Sequence, residues 1–185
     1  MENLNEHPQI AELLEALDEN GLTKEKNEVQ SLVTYIGSME ETLTGMLGEL
    51  QDMRREINLI HNSTLRSKCQ NLVQKTDNKI RQGFSAVKQT KDNLIKSAGN
   101  AMKAFREKGK DTLAESVRAM KIPEAFDKLS SLFHRLSKDM AQDTMKLSSM
   151  NAELQSAKGH FKNMGLLLVG KAAKEAEHTK TDKGI

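Results

Sequence analysis

Ten cations fall within 36 residues of this chain: Lys75, Lys79, Arg81, Lys88, Lys91, Lys96, Lys103, Arg106, Lys108 and Lys110. Side chains of this type, at this density, neutralise phosphates, and binding of that kind weakens steeply with salt. Reading bases needs Arg, Asn or Gln aimed into a groove. The set is mostly lysine, so contact with DNA or RNA is expected to be independent of sequence. The same residues can instead form a solvated face that pairs with acidic neighbours, and the sequence leaves both readings open. A membrane partner is not expected, because the stretch 98–105 lacks the Trp- and Leu-rich face of strong interfacial helices.

Other candidates for chemistry fall away one by one. The run 165–171, Gly-Leu-Leu-Leu-Val-Gly-Lys, matches the start of a phosphate-binding loop. No strand pattern precedes it, and Ala172 stands where Ser or Thr would meet the metal. His7, His61, His134, His160 and His178 are scattered, with no pair at ligand spacing and no cysteine partner. Cys69 has Lys68 beside it but no histidine within a helical turn, so no nucleophile–base arrangement emerges. The triplet Asn62-Ser63-Thr64 fits a glycosylation acceptor, which a cytoplasmic protein would not use. No motif calls for a cofactor, and an enzyme is not expected.

The elements that carry these residues read as helices. Aromatic residues make up only 3% of the chain and charged ones 29%, with ten Met and two Pro. That composition favours long helices packed through narrow seams over a thick globular core. A single cysteine precludes an intramolecular disulfide and fits a reducing cytosol. The polar start of the chain leads us to expect no secretory signal, and the longest apolar run, 166–169, is far too short to span a bilayer. A soluble, cytoplasmic protein is expected.

A short helix is predicted over about 8–20, with Pro8 in its first turn and Gly21 as a left-handed stop. From Thr23 a second helix carries an apolar series that alternates steps of three and four. Its members are Val29, Leu32, Ile36, Met39, Leu43, Met46, Leu50, Met53, Ile57 and Ile60, a coiled-coil type seam. Gly37, Gly45 and Gly48 lie off this seam, either as weak spots or where another helix comes close. The segment 61–64 is the expected break, although a continuous helix remains open. From Leu65 to Arg118 the apolar series is looser, and positions 80, 91, 102 and 113 repeat by eleven, which predicts a straighter stripe interrupted by Lys91. Gly99 and Gly109 weigh against one unbroken helix there.

Ile122-Pro123 marks the clearest boundary. After it the heptad returns through Phe126, Leu129, Phe133, Leu136, Met140, Leu147, Met150, Leu154, Ala157, Phe161, Met164 and Leu168, broken only by Asp143. That aspartate either fixes register or faces the open edge of a wide bundle. The expected organisation is one domain: a short helix over 1–22, an acidic heptad helix over 23–62, a basic segment over 63–121, a C-terminal heptad helix over 122–171 and a fraying polar tail over 172–185. At 1.5 Å per residue the two heptad helices would reach roughly 55 and 70 Å. The predicted fold class is all-α: an elongated antiparallel, coiled-coil-like bundle of three long helices plus the short one.

Charge is sorted into blocks along these elements. Residues 1–62 carry 13 acidic and 4 basic side chains, residues 66–110 carry 3 and 12, and residues 111–185 carry 10 and 12. An acidic arm followed by a basic one can pair internally, or offer the basic one to a polyanion. The cleaner seam lies in the acidic arm, so the basic arm is expected to have more surface to spare.

The order of segments also resembles a known group. PQIAELLEALDENGL, then SLVTYIGSMEETL, then AVKQTKDNLIKSAGNAMKAFREKGK is similar to small helical proteins carried by conjugative elements, plasmids and phages of gut Firmicutes, over residues 8–175. In size and helix content the chain is also similar to anti-CRISPR proteins that inhibit Cas9. That resemblance implies a stoichiometric binder of a host nuclease, with Cas9–guide RNA as partner. Either the acidic arm would mimic nucleic acid, or the basic arm would engage it beside the nuclease. The alternatives are a self-associating coiled-coil protein, a homo-oligomer through its seams, and a sequence-independent nucleic-acid binder.

Overall fold

Three helix boundaries, near residues 20, 62 and 109, can each be traced to a local backbone requirement. The computed structural model describes residues 3–148 and 155–181. After a 3-10 turn at Leu4–Glu6, helix α1 spans Pro8–Glu19. It ends on a left-handed Gly21, φ +67°, with the amide of Leu22 donating to the carbonyl of Leu17 and that of Gly21 to Asp18. This pair of bonds satisfies carbonyls that the helix end leaves open.

Helix α2 spans Thr23–Ile57 and α3 spans Ser63–Lys108. Between them Asn62 caps α3, its Oδ1 accepting from the amides of Thr64 and Leu65, each at 3.1 Å. Asn62 is thus a capping residue, and the guanidinium of Arg66 closes the turn by donating to the carbonyl of Ile60. Helix α4 follows at Lys110–Ala119, α5 at Ile122–Ser148 and α6 at Gln155–Thr181.

The all-α class holds: among the described residues there is no strand, and long helices follow a short N-terminal one. The basic segment is two helices, because Gly109 adopts φ +89° and ψ −169° and interrupts it. The C-terminal heptad segment is seen as α5 and α6, and Met150 and Leu154 of its predicted seam lie outside the described residues. Residues 172–181 of the expected polar tail continue α6. Ala172, Ala173, Lys174, Glu175, Ala176 and Glu177 are good helix formers with no glycine or proline among them. The last four residues of the expected tail lie outside the described set.

The chain clusters into two compact units: residues 1–40 with 85–130, and residues 41–84 with 131–185. Helices α2, α3 and α5 each contribute a segment to both. In the first unit Ile10, Leu13 and Leu17 of α1 pack into a core with Val29, Leu32 and Ile36 of α2, Leu94, Ala98 and Met102 of α3, and Leu113 and Val117 of α4. Tyr35 and Phe126 meet there at 4.5 Å between ring centroids. In the second unit Leu43, Met46, Leu50 and Met53 of α2 join Val73 and Ile80 of α3, Leu136 and Met140 of α5, and Phe161 and Met164 of α6.

All ten predicted seam residues are buried within the single chain, nine of them in α2 and Ile60 in the turn that follows it. Helix α3 buries Ile80 and Met102 of the series by elevens, with Lys91 half-buried between them. Its inward positions are Cys69, Val73, Thr76, Ile80, Gly83 and Val87, then Leu94, Ala98 and Ala101. With Thr90 half-buried between the two groups, the steps are all of three or four, and the successive fours from Thr90 to Leu94 to Ala98 depart from a strict heptad. Small and polar residues occupy so many of the positions that the apolar pattern is hidden. Asp143 is also inward, 5% exposed and paired to Lys146 at 3.2 Å, so it does not face an open edge.

The off-seam glycines of α2 divide by their surroundings. A methyl group at Gly45 would stand 3.2 Å from a Leu167 methyl, so Gly45 marks the approach of α6. At Gly37 and Gly48 nothing lies within 4 Å. Gly37→Ala and Gly48→Ala are therefore each expected to raise stability by about 0.5–1 kcal/mol through helix propensity. Urea unfolding followed by circular dichroism checks this, and a lowered midpoint for either would contradict it.

Candidate polyanion-binding surface

Backbone position determines which cations remain available. Of the ten basic residues singled out in the sequence, four are held by carboxylates of neighbouring helices or turns. Lys91 of α3 meets Glu40 of α2 at 3.3 Å, with both side chains mostly buried. Lys79 meets Asp139 of α5 at 2.9 Å, and Arg81 meets Asp77 one turn earlier at 2.9 Å. Arg106 is paired with Glu12 of α1. Lys75, Lys88, Lys96, Lys103, Lys108 and Lys110 are exposed and make no ion pair among the described residues.

The ten do not form one surface. Lys75, Lys79 and Arg81 belong to the second unit, and the other seven belong to the first. Within the first unit, Lys88, Lys96 and Lys103 share the outer face of α3 with Asp92 and Glu107, which offset much of their charge. The unit as a whole contains 12 basic and 15 acidic side chains, whereas the second contains 16 and 11. Folding thus moves the positive excess away from most of the residues that suggested it.

In the second unit the exposed cations without an ion pair include Lys68 and Lys75 on α3, Arg135 and Lys138 on α5, and Lys162 on α6. Lys75 lies one helical turn from Lys79, and Arg135 one turn from Asp139. The Lys79–Asp139 pair sets α3 beside α5, with Lys75 and Arg135 each one turn away from it on its own helix. Sequence reasoning missed Lys68, Arg135, Lys138 and Lys162 because the last three sit in a nearly balanced stretch. Only the tertiary partners of that stretch reveal a surplus.

The acidic arm is used structurally. Glu12, Glu25 and Glu40 pair with Arg106, Arg118 and Lys91 inside the first unit. The pairing is reversed once in the second unit, where the buried Asp77 also lies 3.4 Å from Arg54 of α2.

Two groups with latent chemistry deserve separate placement. Cys69 is buried, and burial pushes its thiol pKa above the ordinary 9.0, which disfavours the nucleophilic thiolate. His160 of α6 lies between two glutamates of α2. Its Nδ1 is 2.6 Å from Glu49 Oε2, and its Nε2 is 3.1 Å from Glu56 Oε2. Burial lowers its pKa, but the hydrogen bonds to Glu49 and Glu56, with their charges, outweigh this and raise it above 6.5. The carboxylates lie on opposite ring nitrogens, so one ion cannot be ligated by all three side chains. Among the described residues no group of three His, Cys, Asp or Glu side chains is arranged to hold a metal ion.

The run 165–171 lies inside α6, so it makes no phosphate-binding loop. Among the described residues no helix is long and apolar enough to cross a membrane. A family model described as a family of unknown function, DUF6674, matches residues 6–185. No curated protein and no solved structure matches the chain.

Proposed function

We propose that this chain, which belongs to the DUF6674 family, acts by binding and not by catalysis, and that its second unit meets a polyanion of the nucleic-acid type. The observation that carries the proposal is the surplus of five positive charges in that unit, with Lys68, Lys75, Arg135, Lys138 and Lys162 exposed and without ion pairs among the described residues. A surface of lysines and one arginine neutralises backbone phosphates without selecting bases.

Duplex fits this surface better than single strands. Binding of unpaired strands relies on aromatic platforms for stacking. The chain has no Trp; Tyr35, Phe133 and Phe161 are buried, and the remaining phenylalanines are at least half-buried. Self-association through the α2 seam is disfavoured as the primary function, because one chain already buries that seam. Inhibition of Cas9 rests on the resemblance alone, and loss of guided cleavage at excess protein is its separate test.

Fluorescence anisotropy with a short duplex, titrated in salt, tests the polyanion reading. Weak binding is expected, with log K falling by about 0.9 per decade of salt for each phosphate contacted. Changing Lys68, Lys75, Arg135 and Lys138 together to Gln should flatten that slope. The same change at Lys88, Lys96 and Lys103 should leave it nearly intact. Binding that ignores salt, or that is lost only with the second set, would overturn the proposal.

A further inference from the structure

A neutral imidazole carries one N–H and one lone pair. At His160 each ring nitrogen faces a carboxylate oxygen of α2, at 2.6 and 3.1 Å. A neutral ring would therefore set one lone pair against an anion. Only the imidazolium donates to both sides at once. The site is also sheltered, since the His160 and Glu49 side chains are 15% and 25% exposed. The second oxygen of Glu49 accepts from Asn163 Nδ2 at 3.4 Å, one turn along α6. Leu167, one turn further, closes on Gly45.

These contacts run in opposite directions along the two helices, from Glu56 to Gly45 on α2 and from His160 to Leu167 on α6. We propose that His160 is a proton-operated clasp that fastens α6 to α2 when the ring is charged and loosens it when the proton leaves.

The groups that bear on the ring come from both helices of the contact. Glu49 and Glu56 supply the opposing charge from α2, and Asn163 of α6 shares Glu49. Lys158 and Lys162 are the nearest cations along α6, two residues to either side, and that offset carries them away from the ring's face of the helix. The pKa is raised in the folded state. The clasp is therefore fully effective below the unfolded value near 6.5 and is lost as pH rises through the folded pKa. What loosens first is the docking of α6, whose inner face carries Ala157, Phe161, Met164 and Leu168.

The test uses the full chain. Proton NMR follows the His160 ring, assigned by its disappearance in His160→Gln. Hydrogen exchange of the amides of α6 is followed between pH 6 and 9 and corrected for the intrinsic pH effect. The ring should titrate above 6.5, and corrected exchange should accelerate through the same range, by about tenfold for each unit of pKa elevation. The pH-dependent acceleration should vanish in His160→Gln. Glu56→Gln, at a half-exposed position, removes one carboxylate and should lower the ring pKa without unfolding the chain. A ring that titrates at or below 6.5 would overturn the proposal. So would an acceleration that persists unchanged in both variants.

Discussion

Phe161→Ala is expected to lower the unfolding free energy by about 3–5 kcal/mol, the range for truncating a buried aromatic side chain. Phe161 is fully buried and belongs to the apolar face of α6 that meets the second unit's core. Truncation removes the ring's contacts and leaves a cavity that close-packed neighbours fill only in part. The reference is Leu166→Ala, five residues along the same helix. There the side chain is 58% exposed, and the expected change is within about 0.5 kcal/mol. Denaturant unfolding of both variants, with the slope compared as well as the midpoint, separates loss of packing from a changed unfolded state. A loss below about 1 kcal/mol for Phe161→Ala would mean that α6 contributes little to the core of this unit.

Gly109→Ala is expected to cost about 1–3 kcal/mol for a different reason. At φ +89° and ψ −169° the backbone occupies a region open to glycine and closed to other L-residues. A methyl group there would meet nothing within 4 Å, so the cost is conformational and not a clash. Thermal unfolding gives the measurement. An unchanged midpoint would show that α3 and α4 can meet through another backbone geometry. The contrast with Gly37→Ala and Gly48→Ala is sharp, since the same substitution should stabilise where the helical backbone already suits alanine.

Much of the architecture could be read directly. The α2 seam was legible because large aliphatic residues and methionines fill every position of the three-four series from Val29 to Ile57. Gly21 was legible because a glycine after an amphipathic turn has few other uses. The seam of α3 was not, since Cys69, Thr76, Gly83, Thr90 and Ala101 stand where a pattern search looks for leucine.

The candidate surface was legible only as a local density of lysine. Pairing of Lys91 with Glu40 and of Arg106 with Glu12 joins residues far apart in sequence, so linear charge blocks give no account of what is left over. His160 had no local signal either. Its only trace was two glutamates a heptad apart on the flank of one seam and a histidine immediately before Phe161 on another.

The sharing of α2, α3 and α5 between the two units has a consequence for how the chain can be made. Residues 41–84 form a detour within the stretch that builds the first unit, and residues 131–185 complete the second. During synthesis the first unit cannot close until residue 130 has emerged, with the hairpin arms of the second already made and waiting. The second closes last, on the arrival of α6. A break in the chain anywhere from residue 41 to 129 spoils both units at once, so neither can be obtained by trimming at such a point. The two units are interleaved along the chain, so each depends on segments that lie on both sides of a segment of the other.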